Sequence, residues 1–141
     1  MSEELVFLID VVKEASSLIT PDFEVKAKGN NGDLVTNFDL KIEKLKEKYP
    51  DFDIVSEENN SDKGITENCF VIDPIDGTVN FANNLPIWAI QVAMIKNNDV
   101  VAAVIYAPRL NELYCADSRA AYFNNKKIHV NNMDIYIMDY M

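Results

Sequence analysis

Two aspartates, Asp73 and Asp76, follow the apolar run Cys69-Phe70-Val71-Ile72, flank Pro74-Ile75 and stand just ahead of Gly77-Thr78. Such a run is expected to be a buried strand that delivers both carboxylates to its carboxyl end before a glycine turn. Pro74 has no backbone donor and biases Asp73 away from helix, so the strand is expected to stop at Asp73. Two carboxylates about 4 Å apart repel by roughly 4 kcal/mol at an effective dielectric near 20. A hard divalent cation relieves that repulsion, and Mg²⁺ characteristically takes oxygen ligands that include one or two carboxylates. A plain surface turn is the competing account, because Asp, Pro and Gly are ordinary turn residues.

Two other acidic signatures do not fit. An aspartyl phosphatase of the haloacid-dehalogenase type needs one residue between its aspartates, and here there are two. Counted as a calcium loop starting at Asp73, the segment puts Asn84 where the bidentate Glu belongs.

A second acidic element lies upstream. Asp53-Ile54-Val55-Ser56 reads as a short strand, with Glu57-Glu58 directly at its end. Two strands ending in carboxylates, joined by the polar loop from Asn59 to Asn68, would converge at one edge of a sheet. Taken alone, Glu57 and Glu58 are read more readily as a solvated acidic loop. Earlier still, Asp33-Leu34-Val35-Thr36 leads into a segment with Phe38, Ile42, Leu45 and Tyr49 at helical spacing. Thr36 with Asp39 three residues on resembles a capping box.

The remaining elements follow from periodicity. Leu5, Ile9, Val12 and Leu18-Ile19 describe a first helix ending near Thr20-Pro21. Phe23, Val25 and Ala27 alternate with Glu24, Lys26 and Lys28 as a half-exposed strand. After the Asp73–Thr78 motif, Ile87 to Lys96, Val100 to Tyr106, Glu112 to Ala116 and Lys127 to Val130 read as successive strands. Their turns fall at Asn97-Asn98-Asp99, Pro108 to Asn111 and Asn124-Asn125. The stripe Trp88, Ile90, Val92 and Met94 reads as core. The fold class expected is α+β: two helices packed on a mainly antiparallel sheet, in a single domain spanning residues 1–141.

Composition narrows the partners. Apolar and charged fractions of 48% and 26% are those of a soluble globular chain. A net charge of −10 disfavours nucleic-acid backbones and anionic membranes. Bound Mg²⁺ would reverse the local sign at an acidic site, so an anionic phosphate ester stays admissible. Ser2-Glu3-Glu4 is acidic where an export signal is basic, no run is long enough to span a bilayer, and Cys69 and Cys115 are isolated. A cytoplasmic protein with two reduced core cysteines is expected. His129 alternates with Ile128 and Val130 and is expected to face solvent. The chain has no phosphate-binding Gly-x-x-x-x-Gly-Lys loop and no Ser-His-Asp pattern.

Taken in order, Asp33-Leu34-Val35-Thr36 with Asp39, Ser56-Glu57-Glu58, and Asp73-Pro74-Ile75-Asp76-Gly77-Thr78 followed by Asn80-Phe81 resemble the inositol monophosphatase family of magnesium-dependent, lithium-sensitive phosphatases. The resemblance runs from the first helix to about Val130 and implies the amino-terminal domain of a layered αβαβα fold. It also implies Mg²⁺-dependent hydrolysis of a small phosphate monoester by an activated water, with no covalent enzyme intermediate. By that resemblance Glu57, Asp73 and the carbonyl of Ile75 hold a first Mg²⁺, and Asp73 and Asp76 a second. Glu57 and Thr78 orient the water, the amides of Gly77 and Thr78 meet the substrate phosphate, and Asp39 and Glu58 are outer acidic groups. Lys28 matches a basic loop residue.

The family carries a further metal-binding Asp in a Trp-Asp-x-Ala-Ala-Gly motif of a carboxy-terminal domain. Here the single tryptophan, Trp88, precedes Ala89. The sequence therefore reads as an amino-terminal half, with turnover expected to be impaired. The alternative is a catalytically silent half-domain that binds metal or assembles with a separate carboxy-terminal half. The apolar stretch Met133–Met141 adds an expectation of self-association.

Overall fold

A computed structural model describes residues 1–19, 41–56 and 64–132. The expected strand at Phe23–Lys28, the Thr36–Asp39 cap, Glu57, Glu58 and the Met133–Met141 segment lie outside the described residues.

Helix α1, Glu3–Ser17, begins where Ser2 places its Oγ to accept from the amide of Leu5 at 3.1 Å. The Ser2 amide in turn donates to Oδ2 of Asp117 at 2.7 Å. Backbone amides of Arg119 and Ser2 are the main groups holding the Asp117 carboxyl below its ordinary pKa. This anchor ties the start of α1 to a residue 115 positions further along the chain. The helix ends three residues before Thr20, earlier than its apolar spacing suggests. The amides of Leu18 and Ile19 close tight turns onto the carbonyls of Ala15 and Ser16, at 3.3 and 3.0 Å. The hydroxyls of Ser16 and Ser17 also donate to the carbonyls of Lys13 and Glu14.

Residues 41–48 form helix α2, with Leu45 buried. Lys41 and Lys44 of α2 both pair with Glu14 of α1. Just after it, Tyr49 packs against Phe7, Phe52 and Phe70 with ring centroids 5.2–5.7 Å apart.

Seven strands form one sheet in sequence order: β1 Asp53–Ser56, β2 Cys69–Asp76, β3 Ala89–Lys96, β4 Asp99–Ala107, β5 Glu112–Asp117, β6 Ala121–Phe123 and β7 Lys126–Ile128. β1 pairs parallel with β2 and every other neighbour pair is antiparallel. A single-turn helix α3, Thr78–Ala82, separates β2 from β3. The strand expected at Lys127–Val130 is instead Lys126–Ile128, and β6 went unread in the sequence. His129 lies outside any strand and is exposed.

The hairpin turns are chemically explicit. Asn97 and Asn98 both have positive φ, as do Asn124 and Asn125. Each pair forms the two-residue link of a hairpin, closed by Lys96↔Asp99 and Phe123↔Lys126. Such links need two consecutive left-handed residues, which Asn tolerates better than most.

One face of the sheet carries Phe70, Ile72, Ile90, Val92, Met94, Ala102, Val104, Leu113 and Cys115, all buried in one core with the apolar side of α1. Trp88, Ile90, Val92 and Met94 are core as expected, and both cysteines are buried free thiols. The opposite face presents half-buried Val71, Ala93 and Ala103, with Ile105 and Tyr114 each 42% exposed. No helix among the described residues is long and apolar enough to cross a membrane.

Candidate active site

The parallel register of β1 and β2 runs Asp53↔Cys69 through Ser56↔Ile72, so both strands point the same way. Ser56 therefore reaches the level of the residue just before Asp73. The next residue in the chain is Glu57, outside the described residues.

β2 does not stop at Asp73 as the sequence suggests. It continues through Pro74 to Asp76, with a register irregularity between Asp73 and Asp76. Pro74 is tolerated because the missing donor falls within that irregularity. Its consequence is visible in the pairing. Asp73 lies opposite Gln91, and Asp76 lies opposite Ala89. Three steps along β2 thus correspond to two along β3. In an unbroken strand residues three apart face opposite ways. The extra residue puts Asp73 and Asp76 on the same face, that of Gln91 and Ala89. Ile75 turns the other way and is 8% exposed.

Gln91 confirms the arrangement. Its Nε2 donates to Oδ2 of Asp76 at 2.6 Å. Asp73 and Gln91, with Ser56 and Val55, also line a hollow of about 450 Å³ on this face. Asp73 is half-buried and Asp76 exposed.

Beyond Asp76 the chain reverses at Gly77, which has φ +90°. A Cβ there would lie 3.0 Å from the carbonyl oxygen of Ile87 and 3.4 Å from Cα of Trp88. Gly77 is therefore fixed by backbone angle and by close approach. The turn is held from the other side as well. Asn80 Nδ2 donates to the carbonyl of Ile87 at 2.9 Å, and Phe81 meets Trp88 edge-on at 4.9 Å. Thr78 opens α3 and is exposed.

Asp73, Ile75, Asp76, Gly77 and Thr78 are thus contiguous at one end of the sheet. Glu57, Glu58 and Asp39 cannot be placed with them, being outside the described residues. Among the described residues no three His, Cys, Asp or Glu side chains gather as a metal cluster. The described donors are two carboxylates on one face, a set suited to a hard cation such as Mg²⁺ rather than a soft one. Gln91 is the site residue that sequence reading missed. In the alternation of β3 it looks like any outward polar residue, and its partner becomes visible once β2 and β3 are in register.

A sequence profile of the inositol monophosphatase family matches residues 2–137. The chain belongs to the inositol monophosphatase family. An inositol monophosphatase of Dictyostelium discoideum is 36% identical over 140 residues, covering 89% of this chain and 51% of that protein. A fructose-1,6-bisphosphatase/inositol-1-monophosphatase of Thermotoga maritima is 37% identical over 112 residues, covering 75% of this chain and 43% of its own length. The solved structure of a Thermotoga maritima IMPase superposes with a TM-score of 0.78 at 26% identity, over 93% of this chain and 55% of that one. The chain spans about half the length of the relatives it matches. The inositol monophosphatase fold accounts for the seven-stranded sheet with helices on one side.

Proposed function

We propose that this chain carries metal-holding residues of a Mg²⁺-dependent phosphomonoesterase acting on a small phosphate ester of the inositol monophosphate type. The observation that carries the reading is the irregularity in β2, which sets Asp73 and Asp76 on one face beside Ser56 at the end of β1. Family membership and the relatives' names support the reaction class.

In this reading Glu57, Asp73 and the Ile75 carbonyl would hold one Mg²⁺, and Asp73 and Asp76 the second. Bound Mg²⁺ supplies a Lewis acid and lowers the pKa of water, the standard contribution of paired metals to phosphate-ester hydrolysis. Glu57, with the Thr78 hydroxyl, would orient the attacking water toward phosphorus. The Gly77 and Thr78 amides would donate to phosphate oxygens. Asp39 and Glu58 add negative potential around the cations. The free thiols of Cys69 and Cys115 suit a reducing cytoplasm.

The test is phosphate release from inositol-1-phosphate by this chain with Mg²⁺, after chelation, and in Asp76→Asn. Release that depends on Mg²⁺ and falls in the variant is expected. Equal release after chelation would end the metal reading. Release no greater than that of Asp76→Asn would favour the second reading, a catalytically silent domain that binds metal or assembles.

The same reading extends to assembly. The apolar face with Ile105 and Tyr114 is proposed to associate with a second copy of this chain. Sedimentation of the chain alone is expected to show dimers or larger species as concentration rises, and a clean monomer would refute it.

A further inference from the structure

We propose that Gln91 is a positioning residue for the metal site, fixing which carboxylate oxygen of Asp76 is offered to the cation. The inference rests on the proposed metal-dependent reading and concerns a residue outside the acidic motif. Gln91 sits directly opposite Asp73 on β3, yet its Nε2 donates to Asp76, at 2.6 Å from Oδ2. The side chain therefore bridges the two levels that the irregularity in β2 creates. A carboxylate has two oxygens and free rotation about its last bond, and an exposed Asp samples both faces. A donor on Oδ2 limits that freedom and leaves Oδ1 the less encumbered oxygen of the two.

The choice of an amide matters. Lysine at this position would hold Asp76 but place a positive charge where a cation must sit. Glutamate would add a third negative charge and has no donor for Oδ2. A neutral amide orients the ligand without changing the charge of the site. Groups that hydrogen-bond to metal ligands in this way typically contribute 10–100-fold in metal affinity.

The effect is separable from folding, since Gln91 lies on the half-exposed face and not in the core. Gln91→Met keeps the volume and removes the donor. Gln91→Asn keeps the polarity but draws the amide back by one methylene. In the full chain, calorimetric titration with Mg²⁺ and Mn²⁺ electron paramagnetic resonance are expected to show affinity reduced about 10-fold in both variants, with apo melting unchanged. In NMR spectra the Gln91 side-chain amide of the apo wild type is expected to shift when Asp76 is replaced by Asn. Wild-type affinity retained in both variants would overturn the role of Gln91 and leave the metal site standing. Absence of Mg²⁺ binding by the wild type would overturn both.

Discussion

Asp73→Asn is expected to abolish measurable Mg²⁺ binding by this chain and to lower any phosphate release by at least about 10²-fold, the upper end of what losing a mere supporting group costs. Three features single out Asp73. It is the half-buried member of the pair, it lines the hollow on the open face, and it stands one step past the residue that Ser56 pairs with. In the proposed site it would help hold both cations, whereas Asp76 would hold one. The substitution is nearly isosteric, so the strand keeps its shape while one unit of negative charge leaves. The order of effects is therefore part of the expectation: Asp73→Asn more severe than Asp76→Asn, and both more severe than Gln91→Met. Calorimetric Mg²⁺ titration of the three variants, each checked for folding by circular dichroism, gives the ranking. Asp73→Asn binding Mg²⁺ as the wild type does would remove the basis of the proposed function.

That ranking depends on geometry of which the sequence revealed only part. Asp73 and Asp76 were legible as a pair because an apolar run, a proline and a glycine bracket them. The stripe Trp88 to Met94 announced its face by strict alternation. The asparagine pairs at 97–98 and 124–125 marked two hairpins because few other residues accept consecutive left-handed angles. What escaped notice was set by tertiary pairing. Pro74 looked like a strand terminator, yet β2 passes through it because the irregularity absorbs the lost donor. Ala121–Phe123 has only three residues and little alternation, and it becomes a strand by pairing Phe123 with Tyr114, whose rings lie 4.8 Å apart. Gln91 carried no local signal, since its partner is 15 residues away on another strand.

The turn that presents the acids to solvent should prove the least tolerant point outside the core. Gly77→Ala is expected to destabilise the chain by about 3 kcal/mol, combining the left-handed backbone penalty of about 1–3 kcal/mol with the cost of forcing an atom into occupied space. At φ +90° an L side chain is strained whatever surrounds it. The added Cβ would also stand 3.0 Å from a backbone carbonyl, that of Ile87. This carbonyl cannot simply move away, because it accepts from Asn80 at 2.9 Å and precedes buried Trp88. Gly64 supplies the control. It too has positive φ, at +60°, but a Cβ there would meet nothing within 4 Å. Gly64→Ala should therefore cost only the backbone term, about 1–2 kcal/mol. Urea unfolding of the two variants measures the difference. Equal losses would mean that crowding against Ile87 contributes nothing, and that Gly77 is required for its backbone angle alone. A larger loss at Gly77, with weakened Mg²⁺ binding in the surviving folded protein, would show that the packing of α3 against the start of β3 also holds the carboxylates in place.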